Sequence, residues 1–344
     1  MSDLWFAGGY TDGGDAFPGS RAKGIVSFRF DANRGQFSDY RLQAITLNPS
    51  WISCQNGHLL AVTEGLGEDG AVSLYQIHPD GGLQRRHHLV LTGDALCHAG
   101  WDGDQAVISS YMSGWIHRLR VDLQAGVCRP VSQYRYTGSG PHWRQEKPHA
   151  HQATFCHHLK SWLVCDLGTD RVWIHDETWT APPRSLSLPA GCGPRHLCPD
   201  HRDSLYWLWC ELEPRLFRLD LRSEPFRCSE VSLRDVPNLG SFGAGAAIHA
   251  HPVKPWIGLA SRGDHSLLLL DVSDQEQPTY LSRLEHAGRT PREFRFDPSG
   301  SWLLVASQDE HRIQSFALSP EGHVEPCPSD HLQTGSPSCL VQPA

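Results

Sequence analysis

The sequence has no apolar run approaching the roughly 18 residues that a membrane-spanning helix requires. Its start, MSDLWFAGGYTDGG, has no basic segment leading into an apolar stretch, so no export signal is read and a cytoplasmic location is expected. Basic residues are the minority, with 30 Lys and Arg against 38 Asp and Glu and a net charge of −8. Nucleic-acid binding needs a basic face, and this balance argues against it. There is no Cys-x-x-Cys pair, no His-Glu-x-x-His and no Gly-x-Ser-x-Gly. Those absences remove the redox, zincin and serine-elbow signatures. No convincing amphipathic helix is present either.

What is present is a folded composition, 39% hydrophobic and 20% charged over 344 residues. Such a chain buries a sizeable core without disulfide staples. The 11 Cys therefore read as reduced, buried thiols. Among the 21 His, three close pairs invite a metal reading: His149/His151, His157/His158 and His249/His251. An H-x-H pair in a strand puts both rings on one face. No third ligand at a recognised spacing accompanies any pair, so the expectation is no metal and no cofactor.

One pattern recurs. A Pro and a polar residue open a short strand, a tight turn follows, then an apolar strand ending in polar residues. Clear copies are PSWISCQNGHLLAVTEG from Pro49, PHAHQATFCHHLKSWLVCDLGTD from Pro148, GPRHLCPDHRDSLYWLWCELE and TPREFRFDPSGSWLLVASQDE. Units begin near 49, 95, 148, 194, 244, 291 and 337. QNG and DPSG read as hairpin turns. Four strands repeated at this period predict an all-β, seven-bladed β-propeller with four-stranded blades. The last unit has only its first strand, SCLVQ, and the N-terminus offers LWFAGGYT, GIVSFRF and FSDYRLQAI to complete it. The ring is thus expected to be closed by N- and C-terminal strands, hiding its open edges, with residues 1–344 forming a single domain.

Strand direction sorts the polar residues. The start of an innermost strand and the end of the second lie on one face. The starts supply Ser50, His149, Arg195, Arg292 and Ser338. The ends supply Glu64, Tyr111, Asp166, Glu211, Arg262 and Gln308. The turns between these strands, HRDS at 201–204 among them, belong to the opposite face. One channel mouth should therefore gather Arg and carboxylates, as an anionic, carbonyl-bearing ligand needs. His151 should point into the channel below that rim.

At these motifs the chain resembles the lactonase family of seven-bladed β-propellers, which includes bacterial propeller-type 6-phosphogluconolactonases and fungal muconate-lactonizing enzymes. Family-like stretches run in order over almost the whole chain: NPS at 48–50, RQEKPHAHQATF at 144–155, DLGTDRVWIHD at 166–176, GPRHL at 193–197, ELE at 211–213, SRGDHS at 261–266, TPREFRFDPSGSWLLVASQ at 290–308 and GSPSC at 335–339. The resemblance implies a catalytic set of His151, Arg195, Glu211 and Arg262. The chain departs from the family where Asn is common at second-strand ends; here Thr63, Cys210, Ser261 and Ser307 stand.

The function so implied is metal-independent hydrolysis of a sugar-acid lactone, with 6-phosphogluconolactone as first choice. Glu211 is the first choice to take the proton from water, with His151 as proton donor to the leaving ring oxygen; the exchanged roles are the alternative. Burial raises the Glu211 pKa and neighbouring Arg lower it. Arg195 and Arg262 stabilise the oxyanion or hold the anion. His149, Arg144, Lys147, His196 and Arg292 are candidate phosphate contacts; Asp166, Glu64 and Gln308 are further candidates for substrate binding. The expected partner is a small anionic lactone, with no nucleic acid and no membrane, the chain being a monomer or weak homodimer. The alternatives are a muconate-type cycloisomerase using the same groups, and a non-catalytic propeller that binds a protein or metabolite.

Overall fold

The computed structural model describes residues 3–65, 67–200, 204–233, 235–237, 239, 243–326 and 328–343. Its strands form seven sheets of four, each antiparallel. Six blades are built from consecutive strands. The seventh joins the last strand, β28 (Ser336–Val341), to β1 (Asp3–Tyr10), β2 (Ile25–Asp31) and β3 (Gln36–Ala44). The closure is antiparallel, with Gly8 opposite Cys339 and Gly9 opposite Pro337. A Cβ at Gly9 would lie 2.1 Å from the Ser336 carbonyl oxygen, so only glycine fits there. The architecture and its closure agree with the sequence expectation.

The innermost strands are β4 (Trp51–Gln55), β8 (Leu96–Asp102), β12 (Ala150–Cys156), β16 (Pro194–Pro199), β20 (Gly245–Ala250), β24 (Pro291–Phe296) and β28. Each touches the next, and β28 touches both β24 and β4, which completes the circle. Their starts match the repeat read from the sequence. The second strands are continuous apolar runs because both their faces are covered by neighbouring blades. LYWLWC at 205–210 is buried throughout, whereas the outermost β3 is mostly exposed. The core is accordingly divided among the blade interfaces. One cluster joins Leu163, Cys165 and Ile174 of one blade to Leu197, Leu208 and Phe217 of the next.

One local device places the rim residues. Asn48, Ala95, Ala244, Thr290 and Gly193 have positive φ just before innermost strands. Their carbonyls accept hydrogen bonds from the backbone N–H groups of Glu64, Tyr111, Arg262, Gln308 and Glu211, respectively, at 2.8–3.1 Å. The residue just past each second strand is thereby pinned at the channel mouth. The turn residues His201, Arg202 and Asp203, assigned to the opposite face, lie outside the described residues.

Candidate active site

Glu211 is the centre of the mouth. It follows the second strand β17 (Leu205–Cys210) and is 4% exposed. Three guanidiniums from three other positions converge on it. Arg144 Nη2 donates to Oε1 at 2.6 Å, and Arg262 Nη2 lies 2.9 Å from the same oxygen. Arg195 Nε lies 2.8 Å from Oε2, but its N–H is not aimed at the oxygen, so this contact is an ion pair rather than a hydrogen bond. Burial pushes the Glu211 carboxyl up, yet the charges of Arg262, Arg195 and Arg144 outweigh it and hold the group well below the usual carboxylate range. Arg195 is itself lowered, chiefly by burial and then by Arg262, to about 10, and stays charged at neutral pH.

The arginines are aimed by the backbone. Arg195 is the second residue of β16, as the strand-start rule requires. Arg262 Nη2 also donates to the Gly245 carbonyl at 3.2 Å. Arg144 arrives on the segment before β12 and donates through Nη2 to the Tyr111 hydroxyl at 2.6 Å. Tyr111, chiefly through burial and then through the Glu211 charge, is raised to about 12 and keeps its proton.

His151 occupies the second position of β12 and is 6% exposed. It lines a cavity of about 270 Å³ with Glu211, Arg144, Arg262, Arg292, Tyr111, Cys97, Glu64 and Phe17. Burial first, then the charge of Arg195, holds its imidazole well below the ordinary His value, so the ring is neutral near pH 7. Its Nδ1 is buried without a hydrogen-bond partner among the described residues. A buried polar atom left without a partner is unusual in a folded protein. Cys97 also faces the cavity, but burial raises its thiol, which argues against a thiolate nucleophile.

The opposite wall carries a second polar chain. Arg292 Nη2 donates to the Tyr10 hydroxyl at 2.7 Å, which donates to Glu64 Oε2 at 2.9 Å. Arg292 also lies over the rings of Tyr10 and Phe17, 5.1 Å from each centroid. Phe17 stacks on Tyr10 at 4.0 Å between centroids and roofs the cavity. It belongs to the loop after β1, which Asn48 holds. Asn48 Oδ1 accepts from the N–H groups of Thr11 and Asp12, each at 2.9 Å, while its Nδ2 donates to the Asp12 and Glu64 carbonyls. The NPS stretch at 48–50 thus fixes both the roof and a wall.

The residues expected at the site divide into three groups. Glu211, His151, Arg262, Arg144, Arg292 and Glu64 share the cavity, with Arg195 beneath it; Gln308 accepts from Arg292 at 3.4 Å in the adjoining bay. His149 and His196 are supports. His149 stacks on Tyr111 at 4.5 Å, and His196 lies deeper in the channel, 4.9 Å from the His151 ring. Lys147 and Asp166 require correction. Lys147 is half-buried, 3.9 Å from Glu146, and does not line the cavity. Asp166 is fully buried and receives hydrogen bonds from the backbone N–H groups of His149 and Gly168, the Thr169 hydroxyl and the Trp173 indole. It pairs with Ala150 inside the sheet, and Leu167, whose N–H donates to the His149 carbonyl, takes the rim place. Tyr111, which strand direction had put on the rim, and Tyr10, Phe17 and Asn48 complete the site without having been assigned a role. Among the described residues no three His, Cys, Asp or Glu side chains converge as a metal site.

This chain resembles known proteins over its full extent. A 6-phosphogluconolactonase of Bacillus subtilis is 28% identical over 328 residues, covering 92% of each chain. One from Formosa agariphila is 23% identical over 357 residues, covering 97% of this chain and 98% of that protein. The solved periplasmic gluconolactonase of Pseudomonas aeruginosa superposes with a TM-score of 0.89 at 25% identity, covering 100% of this chain and 99% of that one. The model of the family described as lactonase, 7-bladed beta-propeller, matches residues 5–342, and the chain belongs to that family.

Proposed function

We propose that the protein hydrolyses the lactone of a sugar acid, with 6-phosphogluconolactone as the substrate. The observation that carries this reading is one carboxylate gripped by three guanidiniums, two of which line one cavity with it and with a neutral imidazole whose Nδ1 has no partner among the described residues. The names of relatives from Bacillus subtilis and Pseudomonas aeruginosa support the substrate class.

The protonation states support a division of roles. Glu211 is held so firmly as an anion that it is a weak base; its part is to fix Arg144, Arg195 and Arg262. His151 is neutral and accepts the proton of the attacking water. As the water oxygen bonds to the ring carbonyl carbon, charge grows on the carbonyl oxygen, and Arg195 and Arg262 stabilise it. Collapse breaks the bond between that carbon and the ring oxygen. The imidazolium of His151 returns its proton to the departing oxygen, leaving a hydroxy acid and the enzyme unchanged.

The test is a coupled assay on freshly prepared 6-phosphogluconolactone with spontaneous hydrolysis subtracted. Wild type should exceed background, and Arg195→Ala should lose on the order of 100-fold in kcat, the scale of one removed oxyanion donor. Equal rates for both proteins would overturn the assignment of the site, and no wild-type rate above background would overturn the substrate.

A further inference from the structure

A second, larger bay of about 430 Å³ adjoins the cavity and shares Phe17, Arg262 and Arg292 with it. Its outer wall is formed by Arg21, Arg289 and His311, none of which takes part in the chemistry above. Neither Arg21 nor Arg289 forms an ion pair among the described residues. Asp309, the carboxylate of the bay, is occupied by the Thr290 hydroxyl and the Gln308 amide. Arg262 and Arg292 are committed to Glu211 and to the Tyr10–Glu64 pair, so Arg21 and Arg289 are the bay's two uncommitted guanidiniums, facing one carboxylate that is already engaged. Both are exposed at the rim, where an anion arriving from solution can reach them.

The backbone under these groups is fixed. Arg21 N–H donates to Ser336 Oγ at 3.1 Å, and the same oxygen lies 3.1 Å from His311 Nδ1. Gly335, at φ 84°, passes so close that a Cβ there would lie 2.4 Å from the Arg21 carbonyl oxygen. The His311 carbonyl accepts from the Thr334 and Gly335 N–H groups, and the Arg289 carbonyl accepts from Asp309 N–H. Strand closure at β28 thus ties the end of the roof loop to the blade that carries His311. The proximity of the groups shows in His311, which burial first, and then the charge of Arg21, lowers from the ordinary His value.

We infer that this bay is the subsite for a phosphate monoester at the far end of the substrate, with Arg21 and Arg289 as its determinants and His311 as a third donor. This rests on the lactonase reading and deepens it. The lactone carbonyl sits among Arg195, Arg262 and His151, the sugar chain passes Arg292 under Phe17, and the phosphate reaches the outer wall. Arg presents paired N–H donors that match phosphate oxygens. It also moves phosphate recognition away from Lys147 and His149, on the other side of the mouth.

The experiment compares KM for 6-phosphogluconolactone, for unphosphorylated gluconolactone and for a glucaric acid lactone, which carries a carboxylate at that end. Wild type and Arg21→Ala/Arg289→Ala are used. Wild type should prefer the phosphorylated lactone. In the variant, the KM ratio between unphosphorylated and phosphorylated substrates should fall by ~10-fold or more, as expected when charge-assisted pairs are lost, with kcat on the phosphorylated lactone largely retained. Calorimetric titration with 6-phosphogluconate gives a readout that needs no turnover; binding should be strong in wild type and weak in the variant. If lactones are hydrolysed but neither protein distinguishes phosphorylated from unphosphorylated substrate, or the glucaric lactone is preferred, the phosphate subsite is overturned while the lactonase reading stands. If no lactone is hydrolysed yet 6-phosphogluconate binding is lost in the variant, the anion subsite stands and the lactonase reading falls. Equal binding of 6-phosphogluconate by both proteins overturns the subsite.

Discussion

Arg144 Nη2 and Glu211 Oε1 lie 2.6 Å apart although 67 residues separate them in the chain. Arg144 is the most exposed of the three arginines on Glu211, its side chain 30% accessible against 3% for Arg195. Screening weakens such a pair, so the inner arginines carry more of the field. Arg144→Ala should therefore lower kcat/KM by about 10-fold, and by less than Arg195→Ala. Steady-state kinetics on the two variants checks the order, and a reversed order would show that the substrate anion, not the reacting carbonyl, is the business of Arg195.

The pH profile follows from His151. The reactive form is the neutral imidazole, and burial has moved its pKa down. The acid limb of kcat/KM, which reports the free enzyme, should lie below the ordinary His value of about 6.5. A limb at or above that value would remove His151 from the role of base.

Acid stability has a separate source in the channel. Burial, aided by Arg195, lowers His98 to about 3. The unfolded chain takes up that proton below about pH 6.5, whereas the folded chain does not until about pH 3. The neutral imidazole thus contributes stability that is fully present above the unfolded value and is lost as pH falls toward the folded one. Urea unfolding at pH 7 and pH 5 should show the loss, with a slope of up to ~1.4 kcal/mol per pH unit from such a group, and His98→Gln should make the slope shallower by one group's share, the other buried imidazoles, His151, His196 and His175 among them, keeping theirs.

Asn48 gives a test of the roof. Asn48→Gly keeps the left-handed backbone, at φ 36°, and deletes the side-chain bonds to Thr11, Asp12 and Glu64. Stability should fall by roughly 1–3 kcal/mol, and limited proteolysis should cut within residues 12–20. A loop as resistant as in wild type would mean that the Phe17–Tyr10–Arg292 stack holds the roof without Asn48.

The blade repeat was legible because each unit spells its own start: Pro49, Pro148, Pro194, Pro291 and Pro337 all lie within two residues of an innermost strand. Strand direction then placed Glu64, Tyr111, Glu211, Arg262 and Gln308 correctly. Asp166 failed by one residue. It is the last residue of its strand, equivalent to Cys210 and Ser261, and its inward turn bonds follow from that register. Counting from the strand end, instead of choosing the acidic residue, would have put Leu167 on the rim. Lys147 failed because the segment 137–149 has no strand periodicity to orient it. Arg21, Arg289 and His311 were out of reach for a different reason. They come from loops brought together by chain closure, and no local pattern encodes that meeting.

The Glu211 carboxylate organises Arg144, Arg195 and Arg262 at the channel mouth. Its most direct test is background-subtracted hydrolysis of 6-phosphogluconolactone by Glu211→Gln, with circular dichroism and urea unfolding confirming that the variant is folded at assay temperature. A loss of on the order of 100-fold in kcat/KM is expected, the scale of a displaced transition-state donor. A folded Glu211→Gln protein that hydrolyses the lactone at the wild-type rate would contradict it.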